Sequence, residues 1–82
     1  MKLLKFEATW CGPCKMMSKV IDGAKDKITV PIVPIDVDEQ PDMAKLYGVR
    51  GVPTMVLVDD DREIRRKVGM VSEADLLKFL DV

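Results

Sequence analysis

The sequence predicts an α/β fold in which a central mixed four-stranded sheet is flanked by helices, in the order β-α-β-α-β-β-α. Short segments rich in Val and Ile alternate along the chain with segments whose apolar residues recur at helical spacing. The last two strand segments are separated only by the aspartates at residues 59–61, as in a hairpin. Alternating strands and helices give parallel strand pairs and a hairpin gives an antiparallel one, so the sheet is predicted to be mixed.

Two strands and a helix account for the first half of the chain. A strand over residues 3–8 ends just before the cysteines, and a helix follows from Gly12-Pro13 to about Lys25, because apolar side chains recur at helical spacing. A second strand is predicted over residues 28–37, which are rich in Ile and Val. Pro31 and Pro34 place this strand at a sheet edge or leave part of it irregular.

The second half is predicted to contain a short helix, a hairpin and a final helix. The short helix passes through residues 43–47 and ends at Gly48. The hairpin pairs a strand over residues 54–58 with one over residues 63–68. Ser72 is expected to cap the last helix, whose first turn carries acidic residues that favour a helix N-terminus.

Composition limits the classes of protein to which the chain can belong. With 82 residues, 48% hydrophobic and 33% charged, it is predicted to form one domain over residues 1–82. A net charge of −1, with both signs interleaved, predicts neither nucleic acid nor a membrane surface as a partner. Lys5 and Glu7 interrupt the apolar start, so we expect no signal peptide and a cytoplasmic protein.

The sequence contains no histidine, which removes several kinds of chemistry. Nucleophilic sites that pair Cys or Ser with His are excluded, and so are imidazole metal ligands. The two cysteines alone cannot complete a tetrahedral zinc site, so no metal is predicted. The cysteines are therefore expected to react with each other or with a partner.

Cys11 and Cys14 lie three residues apart at the start of the predicted helix, where a disulfide can close. The positive helix N-terminus and Lys15 favour a thiolate there. We expect Cys11 to lie at the mouth of the site as the attacking thiolate, with Cys14 shielded one turn inward as the resolving thiol and no further cofactor. A structural disulfide or inert thiols remain the alternative, which a reducing compartment and a short loop disfavour.

The motif WCGPCK at residues 10–15 resembles that of the thioredoxin family, and the similarity continues at residues 36–38, 47–54 and 67–69. This resemblance implies a thioredoxin-like fold and an enzyme that reduces protein disulfides. It also implies a thioredoxin reductase-type electron donor and a monomeric state. A thioredoxin-fold binding module without turnover and a glutaredoxin-like, glutathione-dependent enzyme are the alternatives.

The same resemblance implies a substrate groove and a cis peptide bond between Val52 and Pro53, facing the cysteines. The groove residues that it implies are Trp10, Gly12, Pro13, Val52, Pro53 and Gly69. From the residues alone, an ordinary trans proline at the start of a strand is the simpler expectation. Because Trp10 lies beside a cysteine that is expected to be exposed, it is predicted to be an aromatic residue at the rim of the groove. One of the two methionines that follow, Met16 and Met17, is a candidate for an apolar part of this rim, but packing in the core is the commoner role for a methionine.

The chain departs from the family pattern at three places. The family usually begins with an extra strand and helix, so one edge or face of the sheet is expected to be more exposed or covered by a partner. Lys19 stands where many members have a helix-kinking proline, which predicts a straighter helix. Lys5 stands where the family buries an aspartate behind the resolving cysteine, and Pro34 replaces the usual lysine partner.

Two interpretations of Lys5 remain open. In the first, Lys5 favours thiolate formation, while Glu7, two residues along the same strand face, or water accepts the proton that the buried carboxylate would accept. In the second, both side chains line a face that the missing strand and helix leave uncovered.

Overall fold

The computed structural model describes residues 1–81 and confirms the predicted element order. The strands are β1 (Lys2–Glu7), β2 (Ile32–Asp36), β3 (Thr54–Asp59) and β4 (Arg62–Val68). The α-helices are α1 (Gly12–Gly23), α2 (Pro41–Leu46) and α3 (Glu73–Leu80). Ser72 caps α3 as predicted, because its Oγ accepts a hydrogen bond from the backbone N–H of Asp75 at 3.2 Å.

The four strands form one mixed sheet in the order β2-β1-β3-β4. β1 pairs with β2 in parallel and with β3 antiparallel, so Leu3 lies between Ile32 and Leu57. β3 and β4 form the predicted antiparallel hairpin. β1 is thus a central strand between β2 and β3, and the cysteines follow directly after its C-terminal end.

The second strand is shorter than the 28–37 segment predicted from its Ile and Val content. α1 ends at Gly23 rather than near Lys25, a single 3₁₀ turn follows at Lys25–Lys27, and β2 begins only at Ile32. β2 lies at the edge of the sheet, where a proline without an N–H is tolerated. The edge position predicted from the two prolines is therefore confirmed.

Apolar side chains fill both faces of the sheet. On the face covered by α1 and α3, the fully or nearly buried residues are Leu3, Met17, Ile21, Ala24, Met55, Leu57, Leu76 and Leu80. On the opposite face, which α2 covers, they are Leu4, Phe6, Ile35, Val56 and Val58. Because β1 and β3 contribute to both sets, they are held from two sides and provide a rigid base for the site.

Candidate active site at the junction of the first strand and helix

Cys11 and Cys14 are joined by a disulfide at the N-terminus of α1. Their Sγ atoms are 2.22 Å apart and their Cα atoms 5.2 Å apart. Cys11 is the N-cap residue, with an extended backbone (φ −89, ψ 108), and Pro13 lies in the first turn. A proline suits this position because the first N–H groups of a helix have no intrahelical acceptor. The expected closure of the two cysteines is thus found.

The two sulfur atoms differ in their hydrogen bonding. The backbone N–H of Cys14 donates to the Sγ of Cys11 at 3.1 Å, in the manner of an N-cap side chain. The Sγ of Cys11 therefore lies at the positive end of the helix dipole and receives one of its unpaired N–H groups. The helix dipole and the hydrogen bond from the N–H group both favour negative charge on the Sγ of Cys11, as a nucleophilic thiolate requires.

In this disulfide form Cys14 is shielded as expected, but the expected exposure of Cys11 at the mouth of the site is wrong. The exposed fraction is 3% for Cys11 and 4% for Cys14. Both pack with Ala8, and the side chains of Val37 and Val52 lie against them. These apolar neighbours come from the segment after β1 and from two loops, so the spacing of the cysteines within the helix could not reveal the burial of the disulfide.

The loop before β3 brings Val52 against the disulfide. The peptide bond between Val52 and Pro53 is cis, as the family resemblance implied. Pro53 is buried, and its carbonyl oxygen accepts a hydrogen bond from the N–H of Gly69 at 2.8 Å. Gly69 has a φ of 87°, which glycine adopts without the steric cost of a Cβ. Val52 therefore packs against the cysteines, and the adjacent Pro53 is connected to Gly69 through the backbone.

Trp10 lies at the surface rather than in the core, since 69% of the residue is exposed. Its indole Nε1 donates to Oδ2 of Asp38 at 2.8 Å, a contact that sequence reasoning missed. Asp36 shapes the turn that presents Asp38, because its Oδ1 accepts from the N–H groups of Asp38 (2.8 Å) and Glu39 (3.3 Å). A small cavity of about 100 Å³ lies beside Trp10 and is bounded by Val52.

The remaining residues of the first turn of α1 face solvent. Gly12, Pro13 and Lys15 are exposed, so Lys15 contributes a solvated positive charge near the disulfide. The two methionines divide their roles, because Met17 is fully buried in the core while Met16 is 48% exposed. Their opposite environments follow from adjacent positions on one helix, which lie about 100° apart around its axis.

Lys5 is buried, with 7% of the residue exposed, although it lines the floor of a surface groove together with Ser18 and Pro34. Its Nζ forms an ion pair with Oε1 of Glu7 at 2.7 Å and donates a hydrogen bond to the hydroxyl of Ser18. Ser18 Oγ donates in turn to the carbonyl oxygen of Cys14 at 3.1 Å. The structure therefore brings Lys5 and Glu7 together and links them to the inner cysteine. Sequence reasoning missed Ser18, although it lies four residues after Cys14 on the same helix face.

Comparison with known proteins identifies the family. The thioredoxin family model matches residues 1–82. The thioredoxin of Chlamydia trachomatis is 37% identical over 79 residues, which cover 95% of this chain and 78% of that protein. For the thioredoxin of Pseudomonas aeruginosa the identity is 41% over 81 residues, covering 96% and 75%. The chain belongs to the thioredoxin family. A solved thioredoxin variant from Halobacterium salinarum superposes with a TM-score of 0.88 at 39% identity, covering 96% of this chain and 70% of that one.

As a thioredoxin, the protein is a thiol–disulfide oxidoreductase with a pair of cysteines that closes into a disulfide. Within residues 1–81, no helix has the length and apolar character needed to cross a membrane. The same residues contain no group of three or more His, Cys, Asp or Glu side chains placed to hold a metal ion.

Proposed function

We propose that this thioredoxin reduces disulfides in protein substrates, with Cys11 as the attacking thiolate and Cys14 as the resolving thiol. The observation that carries this assignment is the hydrogen bond from the N–H of Cys14 to the Sγ of Cys11 at 3.1 Å. This hydrogen bond stabilises negative charge on the Sγ of Cys11, whereas Cys14 contributes only its backbone N–H to the contact. The thiolate is the nucleophile in thiol–disulfide exchange, so the stabilised sulfur attacks first.

The reaction transfers two electrons in two exchange steps. The thiolate of Cys11 attacks one sulfur of the substrate disulfide, a mixed disulfide forms, and the other substrate sulfur leaves as a thiolate that takes a proton. Cys14 then loses its proton and attacks the Sγ of Cys11. The bond between Cys11 and Cys14 forms as the mixed disulfide breaks, and the second substrate thiolate leaves and is protonated. The dithiol is oxidised and the substrate disulfide is reduced.

The proposed binding groove consists of residues contributed by the first turn of α1 and by two loops. Its members are Trp10, Gly12, Pro13, Val52, Pro53 and Gly69. Trp10 supplies exposed apolar area, and the connection between Pro53 and Gly69 holds the opposite wall in place. Apolar rims with available backbone groups suit an extended polypeptide, which can pair along its main chain.

A spent enzyme holds the disulfide and needs two electrons and two protons from an external dithiol. We propose a thioredoxin reductase-type protein as this donor and a monomer as the working form, with no further cofactor. We also propose that the protein works in the cytoplasm, because thiols are kept reduced there and the dithiol form can reduce substrate disulfides. A net charge of −1 supports protein substrates rather than nucleic acid or membrane surfaces.

The decisive test is reduction of a disulfide-bonded protein such as insulin in excess dithiothreitol. We expect catalysis by the wild type and none by Cys11→Ser, because that variant lacks the attacking sulfur. Cys14→Ser is the matched variant, and it should accumulate a mixed disulfide with the substrate that nonreducing electrophoresis detects. If the folded, reduced wild type gives no catalysis, the reductase assignment is wrong and a binding module without turnover becomes the better explanation.

A further inference from the structure

Lys5 occupies an unusual environment for a lysine. The residue lies in the central strand β1 and is 7% exposed, although lysine is almost never buried without a partner for its charge. Its ammonium group contacts Glu7 at 2.7 Å and the hydroxyl of Ser18. A buried ion pair of this kind recovers little net folding energy, because desolvation of the charges offsets their attraction. Its presence therefore calls for another physical role.

Ser18 connects this ion pair to the active-site helix. A hydroxyl group can accept one hydrogen bond while donating another, and Ser18 accepts from Lys5 while donating to the carbonyl oxygen of Cys14 at 3.1 Å. The result is a continuous chain of polar contacts from the centre of the sheet to the backbone of the inner cysteine. Linked hydrogen bonds of this kind polarise one another inside a protein.

The two charges of the ion pair differ in their contact with water. The side chain of Lys5 is 9% exposed and that of Glu7 is 31% exposed. Water screens the carboxylate more strongly, since a charge in contact with solvent experiences a higher effective dielectric constant. The ammonium is the less screened charge and is also the one bonded to Ser18 on α1. The pair therefore presents net positive potential to the interior side of the helix.

The other charged groups around this network are more exposed or already engaged. Lys15 lies exposed on the first turn of α1. Asp22 and Lys25 are exposed and line, together with Lys5, a groove of about 370 Å³. Asp36 lies opposite the last residue of β1, and its Oδ1 accepts two backbone N–H groups of its own turn. Solvent screens the exposed charges, so the buried ammonium is the dominant local charge.

We propose that Lys5 is a positioning residue that acts through Ser18 to stabilise the thiolate of Cys14 when this cysteine resolves the mixed disulfide, with Glu7 as its counter-charge. The inference rests on the proposed function. In the resolving step the thiol proton of Cys14 passes to water, its sulfur attacks the Sγ of Cys11, and the bond to the substrate breaks. The leaving substrate thiolate then takes a proton from water.

The test measures the reactivity of Cys14 alone, in a Cys11→Ser background, as the rate of alkylation by iodoacetamide across a range of pH. At a pH where the thiol is mostly protonated, Lys5→Met should slow alkylation by about tenfold, because loss of a neighbouring cation disfavours the thiolate. Glu7→Gln should accelerate alkylation, because it removes the counter-charge. Ser18→Ala should slow alkylation less than Lys5→Met does.

Two controls separate this effect from a change in structure. Lys19→Met removes an exposed lysine of α1 and should leave the alkylation rate unchanged. Lys5→Arg keeps the positive charge and should retain most of the wild-type rate, which also shows that the site tolerates substitution. A loss of packing alone would not make Lys5→Met and Glu7→Gln shift the rate in opposite directions.

The inference is overturned if Lys5→Met and Glu7→Gln shift the alkylation rate in the same direction or leave it within twofold of the parent. It is also overturned if Glu7→Gln, with both cysteines present, slows release of substrate from the mixed disulfide, since Glu7 would then be the proton acceptor. Insulin reduction by the wild type separates the two proposals. Reduction without the expected alkylation shifts rejects the role of Lys5 alone, whereas absence of reduction rejects the proposed function.

Discussion

The two cysteines have nearly the same exposure, yet their sulfur atoms lie in different electrostatic surroundings. Only the position of Cys11 at the N-cap allows its sulfur to receive the N–H of Cys14 at 3.1 Å. Individual residues of the rim also have defined geometry, because the indole of Trp10 is held by the carboxylate of Asp38 at 2.8 Å. At the residue scale, function depends on single hydrogen bonds that stabilise a reactive sulfur or fix the orientation of a binding side chain.

Truncation of Trp10 is expected to weaken substrate binding more than it affects the chemistry. Trp10→Ala removes a side chain that is 69% exposed beside the disulfide, and loss of an aromatic anchor should raise KM for insulin by about tenfold. Reduction of a small disulfide such as oxidised glutathione should change much less. Leu46→Ala is the matched control, because Leu46 is 73% exposed on α2 and does not belong to the proposed groove. An equal rise in KM for both variants would contradict the role of Trp10.

At the scale of secondary-structure elements, a side chain of the hairpin joins the end of α2 to the sheet. Arg66 on β4 donates from Nε and Nη2 to the carboxylate of Glu63 at 2.7 Å, and from Nη2 to the carbonyl of Tyr47 at 2.6 Å. Tyr47 is the C-cap of α2, where carbonyl groups lack intrahelical partners. The arginine thus fastens the end of α2 to the hairpin.

The contribution of this contact to stability should depend on pH. The hydrogen bond from Arg66 holds the pKa of Glu63 below its ordinary value of 4.5. A carboxyl group with a lowered pKa in the folded state stabilises the protein above its unfolded pKa and loses that effect as pH falls through the folded value. Urea unfolding of the wild type and Glu63→Gln should therefore differ most near neutral pH and converge in acid. A difference that grows below pH 4.5 would contradict this assignment.

At the scale of the whole molecule, the two sheet edges are protected in different ways. β4 carries several Arg and Lys side chains, which disfavour pairing with another strand. β2 instead contains Pro34. The carbonyl of Pro31 and the N–H of Val37 both pair with β1, and backbone groups alternate in direction along a strand. Pro34 therefore faces outward, where its missing N–H removes a donor from the open edge.

Restoration of this donor should promote self-association. Pro34→Val places an N–H on the outer side of β2, so sedimentation at increasing concentration should show a rise in average mass that the wild type does not show. Pro31→Val is the matched control, because the backbone of Pro31 faces β1 and its carbonyl already accepts from Leu3 at 2.8 Å. Identical sedimentation of Pro34→Val and the wild type would show that charge and shape, rather than the proline, keep this edge unpaired.

Short-range physics allowed the sequence by itself to determine most of the architecture. Helical spacing, the hairpin aspartates and the Ser72 cap act over a few residues, and the observed elements follow them closely. The same holds for Cys11 and Cys14, because a separation of three residues at the start of a helix brings their sulfur atoms within bonding distance. The family resemblance added the cis bond before Pro53, which the residues alone did not indicate.

Only the tertiary structure decided the contacts between residues that the sheet brings together. Trp10 meets Asp38 and Lys5 meets Ser18 across loops and strand registers that no local pattern specifies. Burial of both cysteines depends in the same way on neighbours from other elements, such as Val52. Periodicity reports which face of an element is apolar, whereas the partner on that face is set by register and packing over the whole chain.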